Sequence, residues 1–160
     1  MKMTSIADIP TAKTPSGGYG SVMPPAVLAF CSDPLAEDVP DLRGTWKVID
    51  ALSNGQKLPD TFPIWNHRER IEQAANRVVI TGGGVVHDMI ADATFENGLD
   101  DVMVADFTTP LVVAASYENS VLVLRPKDMQ GIEVRRWLEG NHLMWQYHNV
   151  FTARLERVVD

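Results

Sequence analysis

From residue 42 onward the chain is composed of short stretches rich in Val, Ile, Thr, Phe and Trp, each closed by turn residues. That spacing is typical of all-β domains, and no long 3.6-residue apolar repeat competes with it. The stretches predict strands near 43–51, 69–74, 77–81, 85–95, 101–107, 111–118, 121–127, 131–139, 142–148 and 150–158, about ten in all on the strand-spacing rule. AN at 75–76, ENG at 96–98, NS at 119–120, GN at 140–141 and HN at 148–149 are short enough to turn antiparallel hairpins. The longest break, 52–69, holds Pro59 and Pro63 and suits a helical turn or a lid. An unbroken series of hairpins predicts a single up-and-down antiparallel β-barrel of about 8–10 strands over 41–160, which removes exposed sheet edges by closing on itself. A sandwich is the alternative.

Residues 1–40 carry Pro and Gly throughout, PSGGYG at 15–20 included, and read as an irregular N-terminal arm. Its segment VMPPAVLAF is apolar enough to lie against a surface of the barrel. In 160 residues, 45% hydrophobic, there is material for one core and little room for two. A formal charge of −7 provides no positive field for nucleic acid or an anionic membrane, so neither is an expected partner. The lone Cys31 cannot close an internal disulfide, which favours a cytoplasmic setting. PPAVLAFC at 24–31 is far shorter than a membrane span, and as an export signal it is interrupted by prolines and carries bulky Phe30 where a small residue belongs.

Two-residue turns fix which residues face each other. With GN as the turn, Val134, Arg136 and Leu138 share a face with Leu143, Trp145 and Tyr147, and that face is the more apolar, hence interior. Taking HN as the next turn adds Thr152, Arg154 and Glu156 to it and leaves Trp137, Met144, Phe151 and Leu155 outside, apolar enough to call for a covering arm or a homodimer contact. The same alternation turns Tyr117 inward with Leu111, Val113 and Ala115, and His87 inward with Val85 and Met89.

GTW at 44–46 on a first strand, followed only by hairpins and ending in RRWLEGNHLMWQYHNVFTARLERV, resembles the calycin superfamily of lipocalins and intracellular fatty-acid-binding proteins. In the fatty-acid-binding proteins two hairpin strands finish in an Arg followed two residues later by Tyr; Arg154 matches the Arg, and Glu156 stands at the Tyr position. The resemblance implies a closed barrel around an apolar cavity, with Trp46 as a structural plug packed against Arg154.

Charged groups on an inward face are costly unless a partner meets them, so Arg136 and Arg154 either close the barrel, through Glu156 or Trp46, or bind an acidic or carbonyl group of a ligand. Trp145 and Tyr147 offer aromatic walls for that ligand or simply fill the core. His87 and Tyr117 are the acid–base candidates, since one titrates near neutrality and the other is a phenol able to stabilise negative charge; ordinary core packing is the bland account of both. The four histidines are scattered without ligand spacing, so no metal is expected. TGGG at 81–84 leads into a strand and lacks a phosphate loop's ending, which makes it a bend. The expectation is a barrel that binds a small, largely apolar, aromatic molecule, with its conversion by cofactor-free acid–base chemistry of lyase, isomerase or cyclase type left open. A non-catalytic carrier and an interaction module with a filled barrel are the alternatives.

Overall fold

The computed structural model describes residues 4–159. Its strands are β1 (Gly44–Ser53), β2 (Gln56–Lys57), β3 (Arg68–Ala74), β4 (Arg77–Gly82), β5 (Val85–Ile90), β6 (Leu99–Val102), β7 (Pro110–Glu118), β8 (Val121–Pro126), β9 (Val134–Glu139), β10 (His142–Tyr147) and β11 (Phe151–Arg157). Apart from β2, which extends the end of β1, they follow one antiparallel path, β5-β4-β3-β1-β11-β10-β9-β8-β7-β6. That single path replaces the sandwich alternative with a nearly closed barrel, in which the first and last long strands pair with each other. Closure is incomplete at one seam. There β5 and β6 meet without a ladder, joined by Ile90 N–H donating to Asn97 O (2.8 Å) and by His87 Nε2 at 3.0 Å from Val102 O.

The hairpins follow from local backbone chemistry. Asn119 and Ser120 (φ 50° and 65°) and Gly83 and Gly84 (φ 60° and 94°) make two-residue turns with both residues left-handed, the twist antiparallel neighbours require. Two expected strands are cut short. The Asp92 carboxylate accepts bonds from Thr94 N, Thr94 Oγ1 and Asn97 Nδ2, ending β5 at Ile90, and the Asp106 carboxylate accepts Thr108 N and Thr109 N in the loop after β6. The break before β3 holds a 3-10 turn, Pro63–Asn66.

One expected register is wrong, and it matters. Val150 N–H donates to Tyr147 O and Tyr147 pairs with Phe151, so the last hairpin loop is His148-Asn149-Val150 and not His-Asn. One added loop residue flips every side chain of β11. Phe151, Ala153 and Leu155 therefore enter the core, at 8%, 0% and 0% exposure, while Arg154 and Glu156 point out, bridging to Glu139 (3.4 Å) and Lys47 (3.3 Å). Arg154 is thus neither an interior ligand group nor the partner of Trp46. Arg157 is that partner, its guanidinium 4.5 Å from the ring centroid of fully buried Trp46, whose Nε1–H donates to Leu42 O at 3.0 Å. A bulge between Val48 and Asp50 lets Trp46, Val48 and Ala51 all face the core.

The N-terminal segment covers the barrel on a face different from the one expected. Leu28, with Ile6, Ile9, Ala12, Tyr19 and Val27 beside it, packs on the outer side of β3–β5 against Ala74, Val79 and Val86. Polar pins hold it there. All five N–H groups of buried Arg77 are spent, two on Asp88 (2.9 and 2.6 Å) and three on the carbonyls of Ile6, Ile9 and Pro10. Ala12 N–H donates to Asp88, and Val27 and Leu28 N–H donate to the Glu72 carboxylate. Further on, Thr14 N–H reaches Asp101 on β6 while Thr14 Oγ1 accepts from Val86 N on β5, so the arm crosses the open seam.

Candidate functional site

Alternation along β3 turns Glu69, Ile71 and Gln73 into the barrel. Glu69 lies opposite Trp46 on β1 and Gly82 on β4, where a Cβ would stand 2.7 Å from Arg68 O and 3.0 Å from Glu69 Cβ, so only glycine leaves the carboxylate its place. Across the interior, Arg136 on β9 sits between Leu122 and Trp145 of the neighbouring strands. Its Nε and Nη2 donate to the two Glu69 oxygens at 2.8 and 3.0 Å, a forked ion pair between side chains only 6% and 0% exposed.

His67, at the exit of the 3-10 turn, brings Nε2 to 2.7 Å from Glu69 Oε1. Burial alone would push the Glu69 carboxyl up, but the Arg136 guanidinium and the His67 N–H outweigh it and hold it at about 2. The carboxyl is therefore ionised, His67 is the donor in their bond, and Glu69 is a poor proton acceptor at neutral pH. The Trp145 ring joins the group, 4.6 Å from the His67 ring and 4.9 Å from the Arg136 guanidinium carbon, with Phe151 edge-on at 5.0 Å.

This cluster is one wall of an interior cavity of about 260 Å³, whose other walls include Ile80, Met89, Leu99, Val113 and Leu124. A wider outer groove of about 820 Å³ adjoins it, lined by Tyr19–Ser21 and Met23 of the arm, Phe62–Ile64 and Gly83–Gly84. His67, Val104, Trp145 and Tyr147 border both spaces.

Of the residues singled out from sequence, Arg136, Trp145, Tyr147 and His87 lie on the cavity wall, Tyr147 at its half-open mouth with 39% exposure. Burial pushes the His87 imidazole below its ordinary pKa, with the Val102 carbonyl and Asp101 opposing, so it is neutral at neutral pH and its Nε2 is engaged with Val102 O. Tyr117 is inward but not on the cavity wall. Its hydroxyl accepts from Gln73 Nε2 at 2.8 Å, beside Leu42, and burial pushes its pKa up to about 12 against that bond. Trp46 is fully buried but not on the cavity wall, and Arg154 lies on the outside of the barrel.

Glu69 and His67 escaped the sequence reading. The costly guanidinium of Arg136 did call for a carboxylate, and the parity of Glu69 with Ile71 in RERIEQA would have offered one from the far side of the barrel. Among the described residues no three His, Cys, Asp or Glu side chains converge as a metal site, and no helix is long and apolar enough to cross a membrane. Two N–H donors belonging to the cavity wall, Arg136 Nη1 and the buried Trp145 Nε1, have no hydrogen-bond partner among the described residues.

No family model and no curated protein sequence matches the chain. Among solved structures it is similar to human cellular retinol-binding protein IV, with a TM-score of 0.53 and 16% identity, covering 74% of this chain and 98% of that one. At that identity the likeness is one of fold.

Proposed function

Since the chain has a calycin-like fold whose apolar cavity contains one polar wall, we propose that it binds a small, largely apolar molecule inside the barrel, with the molecule's polar end against Arg136 and Trp145. The observation that carries this reading is the buried, unpartnered Trp145 Nε1, which costs about 1–3 kcal/mol if left so, beside an Arg136 whose Nη1 also has no partner. A cavity with apolar walls and a few placed polar groups is the usual design of a small-molecule site. Tyr147, His67 and Trp145, on the border of cavity and groove, offer flat faces to an aromatic ring. Against conversion of the ligand with His87 as base stand its burial, which lowers its basicity, and the position of Tyr117, its expected helper, off the cavity wall.

The test is to incubate the full chain with a panel of aromatic and fatty metabolites and follow retention and product together, beside Val113→Trp, which fills the cavity from β7. Retention by the wild type and its loss in Val113→Trp are expected, with ligands recovered unchanged. Equal retention by both proteins would move the site out of the barrel, and product formation abolished by His87→Ala would restore the enzymatic reading.

A further inference from the structure

The charge balance of the polar wall narrows the ligand class. We infer that the cavity selects molecules whose buried polar end is an uncharged hydrogen-bond acceptor, a ketone, ester or amide carbonyl, over the corresponding carboxylates. The inference rests on the binding reading above and extends it.

The positive charge of Arg136 is already matched. Glu69 takes both Nε and Nη2 in a fork, and the carboxylate, held at about 2, stays charged throughout the physiological range. The pair is neutral as a unit, so a ligand carboxylate would bring a second anion into a dry site beside Glu69 with no second cation to meet it. Of the two imidazoles on the wall, His67 spends its Nε2–H on Glu69, and His87, kept neutral by burial, spends its own on Val102 O. The two unpartnered groups beside the ion pair are both donors. Arg136 Nη1 and Trp145 Nε1 are N–H groups, whereas both Glu69 oxygens already accept, Oε1 from His67 and Arg136 and Oε2 from Arg136. A carbonyl, which accepts and does not donate, matches those two donors.

Calorimetry or equilibrium dialysis of the full chain at neutral pH tests this with three probes on one skeleton: methyl naphthyl ketone, naphthoate and ethylnaphthalene. The ketone is expected to bind about tenfold or more tighter than naphthoate, the scale of one uncompensated buried charge, and tighter than ethylnaphthalene. Glu69→Gln frees the Arg136 charge and should move the ketone-to-naphthoate ratio toward naphthoate by about tenfold or more. Should that variant fail to fold, Trp145→Phe leaves the ion pair alone and removes one donor; the ketone should lose affinity while ethylnaphthalene keeps its own. Naphthoate binding as tightly as the ketone in the wild type would overturn the selection and leave the binding reading standing, as would equal losses for ketone and ethylnaphthalene in Trp145→Phe. Failure of all three probes, ethylnaphthalene included, would overturn the binding reading itself.

Discussion

Replacing Glu69 with leucine leaves the Arg136 guanidinium buried with no opposite charge, and the structure sets the size of the effect. The two side chains are 0% and 6% exposed and joined by a fork of 2.8 and 3.0 Å, so solvent screens little of the loss. Removing one partner of such a pair costs about 3–5 kcal/mol. A second route gives a similar figure: a carboxyl held at about 2 against an ordinary 4.5 corresponds to about 3 kcal/mol of linked stability. Because the folded pKa is the lower one, that contribution is complete above pH 4.5 and disappears as pH falls toward 2. Arg136→Met should cost a similar amount, whereas the double variant Glu69→Leu/Arg136→Met, apolar on both sides, should recover most of the loss. Urea unfolding followed by far-ultraviolet circular dichroism, at neutral pH and again at mildly acidic pH, measures all four proteins. Single-variant losses below about 1 kcal/mol, the size of an exposed pair, would refute the reasoning, and so would a double variant as unstable as the two singles added together.

Three further outcomes are expected. Arg157→Ala should lower stability by about 1 kcal/mol through loss of its contact with the Trp46 ring, while Arg154→Ala changes it by less than about 0.5 kcal/mol; the opposite ranking in urea would restore the two-residue loop. Arg77→Met unpairs Asp88 and three arm carbonyls, so the N-terminal 40 residues should become rapidly cleavable by a broad-specificity protease while the barrel persists; unchanged cleavage would mean that the apolar contacts of Leu28 hold the arm alone. In an alkaline titration of phenolate absorbance compared with that of Tyr117→Phe, the difference should show Tyr117 ionising only near pH 12. Its raised folded pKa means that stability falls as pH climbs from 10 to 12, and a Tyr117 that ionises at the ordinary 10 would contradict its burial.

Hairpin turns are local, and their chemistry shows in a few consecutive letters: Asn119-Ser120 is a two-residue turn as expected, so antiparallel order and the inward face of β9 and β10 were readable, whereas Gly83-Gly84, expected as a bend, is a hairpin turn too. The last hairpin shows where this stops. Whether His148-Asn149 or His148-Asn149-Val150 forms the loop is a choice between two nearly equal local structures, and burial of Phe151 and Leu155 decides it. The alternation of β11 read alone already favoured that answer, because the strand's apolar letters lie at the odd positions.

Local patterning is enough for an all-β chain of hairpins with an arm in front, an interior Arg136 in need of a partner, and Trp46 at the start of the first long strand. Which side chains meet is set by the closed barrel. Glu69 and Arg136 are 67 residues apart and their strands are not neighbours in the barrel, so their fork exists only once the sheet has curled. The same holds for Trp46 with Arg157 and for Arg77 with the arm. Backbone periodicity assigns a side chain to a face, but curvature decides what it finds there, and curvature is a property of the closed sheet that no single strand carries.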